Sequence, residues 1–183
     1  MILSSITLLY TVLSLFQVEA TGHIQYIIDI PYEQLRSHAD DIGLLARNMP
    51  GVTGISATAP NTYLYKTRKS VPLASDLVID FLIGRSVEGG ATVYESTRHD
   101  DPNYMRCVVR VTPSGENRSS IDISLLLRLK RESGSDVHWL APIVGEKFIS
   151  EKMSDDVKDM LETFKERSSN ELYARFGREV STR

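Results

Sequence analysis

The chain has 183 residues, 42% of them hydrophobic and 25% charged, which is the balance of one globular domain with a short appendage and not of a disordered chain. A formal net charge of −3 argues against nucleic acid or an anionic membrane as an electrostatic partner. The single Cys107 excludes both an internal disulfide framework and a thiolate metal cluster.

Residues 1–20 stand apart in composition. No charge occurs from Ile2 to Val18, Ile6 to Phe16 fits the apolar stretch of a signal peptide, and Val18-Glu19-Ala20 fits a small-residue cleavage site. No Lys or Arg precedes that stretch, and Ser4, Ser5, Thr7, Thr11 and Ser14 interrupt it as a spanning helix. Three readings stay open: a signal or anchor giving export or membrane contact, a non-functional leader on a cytoplasmic protein, or translation that starts downstream. Asn117-Arg118-Ser119 fits a glycosylation sequon.

The domain proper is expected over residues 21–168. His23 to Ile30 alternates, with Ile24, Tyr26, Ile28 and Ile30 on one face, so it reads as a strand ended by Pro31. Pro31 to Arg47 reads as one or two short helices with Leu35, Ile42, Leu44 and Leu45 turned inward, followed by the turn Asn48-Met49-Pro50-Gly51. Six strand-like segments then follow, roughly Val52–Thr58, Tyr63–Val71, Asp76–Arg85, Ala91–Thr97, Tyr104–Thr112 and Ser120–Lys130. Turn signals such as Pro60-Asn61, Gly89-Gly90 and Pro113-Ser114-Gly115 separate them. Such short connections predict antiparallel pairing with one face wet. From Pro142 to about Ser168, Ile149, Met153, Val157, Met160, Leu161 and Phe164 share one sector of a helix. Residues 169–183 read as a charged, frayed tail. The order is β-α-α-β-β-β-β-β-β-α, an α+β architecture: a seven-stranded antiparallel sheet and a long C-terminal helix that must bury its stripe on it.

That order, with its residues, resembles the START-like (SRPBCC) superfamily, whose fold is a helix-grip: a curved seven-stranded antiparallel sheet wrapped on a long C-terminal helix, with two short helices after the first strand. Three local motifs carry the likeness. Asp29-Ile30-Pro31-Tyr32-Glu33-Gln34-Leu35 is similar to the family's strand-to-helix passage, Asn48-Met49-Pro50-Gly51-Val52 to its Pro-Gly turn, and Pro142-Ile143-Val144-Gly145-Glu146-Lys147-Phe148-Ile149 to the approach of its gripping helix. Polyketide-cyclase/dehydrase members and one carbon monoxide dehydrogenase subunit family are the nearer likenesses. The resemblance implies an apolar cavity between helix and sheet for a lipid, quinone, polyketide or similar small hydrophobic molecule.

From strand alternation and the helix stripe, the candidate ligand contacts are Tyr63, Tyr65, Phe81, Glu95, Met105 and Leu125 on the sheet, and Met153, Val157, Met160 and Phe164 on the helix. The same residues packed without a void would be an ordinary core, worth ~1.5–3 kcal/mol for each large side chain and binding nothing. Glu95 is the carboxylate of most interest. Facing the cavity it would be a desolvated acid or base, and facing outward it would pair with Arg106 or Arg110 of the next strand. His23, His38, His99 and His138 lie in four separate segments with no metal-ligand spacing. No nucleophile elbow, phosphate loop or Cys/His pair occurs, and nothing calls for a cofactor. Three functions follow in order: a carrier or sensor of a hydrophobic ligand; a cyclase or dehydratase using a cavity carboxylate and tyrosine; an accessory protein for assembly of a larger enzyme, its partner unspecified.

Overall fold

The computed structural model describes residues 16–69, 76–137 and 141–177. Strand β1 (Phe16–Ile28) leads into helices α1 (Tyr32–Arg36) and α2 (Ile42–Asn48). Then come β2 (Val52–Ala59), β3 (Thr62–Lys69), β4 (Leu77–Glu88), β5 (Ala91–Ser96), β6 (Asn103–Pro113) and β7 (Ser119–Arg131). A 3-10 turn at Gly134–Asp136 precedes helix α3 (Ala141–Phe176). Asp41 caps α2, its Oδ1 accepting from the backbone N–H of Gly43 at 2.8 Å and of Leu44 at 3.2 Å. The Val71 end of the third predicted strand, Pro72, and the stretch His138-Trp139-Leu140 lie outside the described residues.

The strands form one antiparallel sheet in the order β1-β7-β6-β5-β4-β3-β2. β2 to β7 run as a meander, and β1, separated from β2 by the helices, pairs instead with the last strand. Both β1 and β7 have 13 residues and pair from Phe16↔Arg131 to Ile28↔Ser119. The first strand therefore begins seven residues before His23, where the sequence reading placed its start. Val18 and Ala20 are fully buried opposite Leu129 and Leu127. Phe16-Gln17-Val18-Glu19-Ala20 alternates in the same period, but the signal-like composition of residues 1–20 assigned these residues to a leader.

The inner face of the sheet and the stripe of α3 make one core, with Ile149, Val157, Leu161 and Phe164 buried and Met153 and Met160 packed against it. The helix also runs past Ser168 to Phe176. Ser168 and Leu172 extend the stripe and are buried, Tyr26 Oη lies 3.2 Å from Ser168 Oγ, and the Asp29 N–H donates to Tyr173 Oη at 3.3 Å. Near its start the helix is broken at Gly145, whose φ of 81° and ψ of 167° suit only a residue without a Cβ.

As an edge strand, β1 presents unpaired N–H groups, and α3 covers them. Gln17 N donates to Glu146 Oε1 at 2.8 Å, Glu19 N to Ser150 Oγ at 3.1 Å, and Thr21 N to Ser154 Oγ at 3.2 Å. Every second strand residue meets every fourth helix residue because the rises match, at about 6.7 Å for two strand residues and about 6.0 Å for four helical ones. No helix among the described residues is long and apolar enough to cross a membrane.

Candidate ligand-binding cavity

Two anchors decide where space is left beneath α3. On one side Gly22 of β1 lets the helix come close: a Cβ there would lie 2.5 Å from Val157 Cγ1 and 2.9 Å from Leu161 Cδ1. On the other, buried Asn48 at the end of α2 donates its side-chain N–H groups to Leu44 O at 3.0 Å and Glu171 Oε2 at 2.7 Å, while Arg47 reaches Glu171 Oε1 at 3.0 Å. The helix is thus seated over β1 and held at its far end by α2. Between its N-terminal half and the inner faces of β3 to β7 lies a cavity of about 770 Å³.

Tyr65 and Thr67 of β3, Ile79, Phe81 and Ile83 of β4, Tyr94 of β5, Met105 and Cys107 of β6, and Leu125 and Leu127 of β7 form its floor. Ile149, Met153, Val157 and Met160 of α3 form the roof, and Ile42, Leu45 and Met49 form a side wall. Arg68, Lys69, Lys152, Asp156 and Asp159 are its charged lining. Lys69 of β3 pairs with Asp156 of α3 across the gap, each about half exposed, so charge is confined to the rim.

Of the sequence candidates, Tyr65, Phe81, Met105, Leu125, Met153, Val157 and Met160 are brought together in this lining. Tyr63 packs partly buried against the core, and Phe164 is buried in it; neither lines the cavity. Glu95 lies on the opposite face of the sheet, which corrects its placement by alternation. Paired residues of antiparallel strands project to the same side: Tyr94↔Cys107 faces the cavity, so Glu95↔Arg106 faces away. In β5 Ala91, Thr92, Val93 and Tyr94 are all buried, so this strand has no polar face from which to read its orientation.

Ile42 and Leu45 face inward as the sequence predicts, but their place in the cavity wall with Met49, and that of Tyr94 in its floor, lies beyond the candidate contacts. Ile42, Leu45 and Met49 have the i, i+3, i+7 spacing of one helical face, so the signal was present. For Tyr94 it was the face opposite Glu95.

The interior carries no formal charge. Burial pushes the Cys107 thiol up to about 12, so it stays protonated at neutral pH and is a poor nucleophile. Burial likewise holds the Tyr65 hydroxyl, and the Tyr94 hydroxyl, far above the usual tyrosine range. On the outer face, Glu95 accepts from Tyr104 Oη and Arg106, which also bonds Glu88 at 2.8 Å. Arg128 stacks 4.5 Å from the Tyr104 ring centroid. Burial, then the hydrogen bond to Glu95, pushes the Tyr104 hydroxyl up to about 12. This is a cross-strand ion-pair network on the sheet's back. Among the described residues no three His, Cys, Asp or Glu side chains converge as a metal site; His138 lies outside them.

No family model matches the chain, and no curated protein matches its sequence. Solved structures match its shape. A START superfamily protein from Mycobacterium smegmatis superposes with a TM-score of 0.57 at 12% identity, covering 83% of this chain and 98% of its own. A conserved protein from Geobacillus kaustophilus gives 0.56 at 12%, covering 86% and 96%. The di-domain ARO/CYC StfQ from the steffimycin biosynthetic pathway gives 0.50 at 13%, covering 85% of this chain and 52% of that one. The chain has the START-like, helix-grip fold.

Proposed function

We propose that the protein binds a small hydrophobic ligand, of the lipid, quinone or polyketide-like kind, between the sheet and α3, as a carrier or sensor. One observation carries this reading: a space of about 770 Å³ stands open where a solid core would close it. Ligand pockets span roughly 300–1,000 Å³, with mostly apolar linings and few polar groups. Here the floor is aliphatic, aromatic and sulfur-bearing, and charge is kept to the rim.

An enzyme of the cyclase or dehydratase kind needs a general acid or base beside the substrate. Tyr65 lines the cavity but Glu95 does not, so the carboxylate–tyrosine pair on which that reading depended does not assemble. Asp156 and Asp159 belong to the rim. Binding without chemistry is the better-supported reading.

Native mass spectrometry of the purified protein, before and after organic extraction, tests it. A non-covalent mass that extraction removes is the expected result. Met105→Trp, which fills the floor, should abolish uptake of an apolar dye while leaving the circular dichroism spectrum native. A protein that takes up no ligand or dye would overturn the reading.

A further inference from the structure

We infer that the ligand carries a neutral carbonyl oxygen and that Tyr65 Oη donates a hydrogen bond to it inside the cavity. This rests on the binding function proposed above and specifies its chemistry. Among the described residues four tyrosines are buried: Tyr26, Tyr65, Tyr94 and Tyr104. Tyr26 meets Ser168 Oγ at 3.2 Å, Tyr94 reaches Ala39 O at 3.5 Å, and Tyr104 bonds Glu95. Tyr65 is only 7% exposed, yet its hydroxyl has no hydrogen-bond partner among the described residues. Its Oη is not among the fully enclosed polar atoms left without a partner, so it opens onto free space, where a hydroxyl is a ready donor to an occupant. Tyr65 lines the cavity, so the space its hydroxyl opens onto is the one a ligand would fill.

The surroundings determine what kind of oxygen this is. Tyr65 pairs across strands with Phe81 and Ile55, and Cys107 is a protonated neighbour in the same lining. The cations Arg68, Lys69 and Lys152 belong to the rim, where Lys69 is already paired with Asp156. A carboxylate or phosphate brought to Tyr65 would be buried without a counter-charge, which the desolvation of an ion forbids. A neutral carbonyl brings an acceptor at little desolvation cost. Tyr65 remains a donor at any ordinary pH, since burial raises its pKa. Ketones, quinones and esters with an apolar body meet both requirements.

The test compares 2-acetylnaphthalene, its hydrocarbon counterpart 2-ethylnaphthalene and the anion 2-naphthoate, titrated calorimetrically into the full chain and into Tyr65→Phe. Removing one hydroxyl from the floor keeps the packing, and a native melting profile for the variant checks this. Tyr65→Phe should weaken the ketone about tenfold, the worth of one buried hydrogen bond, and leave the hydrocarbon unchanged. In the wild-type protein the ketone's carbonyl stretch should shift to lower frequency on binding. Equal effects of the substitution on ketone and hydrocarbon, or tighter binding of naphthoate than of the ketone, would overturn the inference while leaving the cavity's binding function intact. Binding of none of the three would remove the proposed function itself.

Discussion

Asn48 joins α2 to the far half of α3, and it does so by satisfying a charge. It is 6% exposed and its amide donates to Glu171, whose carboxyl is held below the usual glutamate range first by that bond and then, against burial, by Arg47. A carboxylate with a depressed folded-state pKa contributes stability that is complete above its unfolded pKa, about 4.3, and lost as pH falls through the folded value. Asn48→Ala should cost about 1–3 kcal/mol at neutral pH, the penalty for breaking a buried charge-assisted hydrogen bond. Because the variant has less pKa depression to lose, its deficit against wild type should shrink as the medium is acidified below the glutamate range. Urea unfolding at pH 7 and at about pH 3 measures both effects. A deficit that stays constant with pH would mean that Asn48 acts through packing alone.

The element that organises the fold is α3, and its hold on β1 is polar as well as apolar. Glu146, Ser150 and Ser154 close the edge of β1 in place of another strand, while Val157 and Leu161 settle against Gly22. The two serine bonds are solvent-accessible, so water can replace either hydroxyl. Ser150→Ala with Ser154→Ala should therefore cost only about 0.5–1.5 kcal/mol for each bond. The sharper consequence is local: the amide protons of Glu19 and Thr21 should exchange faster with deuterium, while those of β7 keep their protection. Unchanged exchange at Glu19 and Thr21 would show that the helix does not cap this edge. In the sequence these serines look like the polar side of an amphipathic helix. Their spacing of four acquires meaning only once β1 lies parallel beside them.

At the scale of the whole molecule, β1 ties the ends of the chain together, and residues 16–20 belong to that tie. They pair with Leu127 to Arg131, and Val18 and Ala20 have no exposed surface. A chain starting at Thr21 should be several kcal/mol less stable than one starting at Phe16. Val18 alone buries a side chain worth about 1.5–3 kcal/mol, and Gln17 and Glu19 lose their bonds to the helix. At this size, each kcal/mol moves the melting midpoint by roughly 2–4 °C. A calorimetric comparison of the two chains reads the difference directly, and equal midpoints would remove residues 16–20 from the stable fold.

The amino-acid sequence by itself determined the elements and their order. Hydrophobic period and turn residues depend on neighbours along the chain, and these placed seven strands, two short helices and a terminal helix with its inward stripe. Seven of the ten candidate contacts lie in the cavity lining because a strand's alternation or a helix's stripe already carries its facing. Where both faces of a strand are buried, as in β5, that signal vanishes, and only the pairing Tyr94↔Cys107 turned Tyr94 inward and Glu95 out. The cavity itself was beyond any local pattern, since the same apolar residues could have met as a solid core. It exists because the close approach at Gly22 and the clasp of Asn48 on Glu171 fix where α3 sits. Those contacts join residues 135 and 123 positions apart (Gly22 to Val157, Asn48 to Glu171), and only the folded chain brings them together.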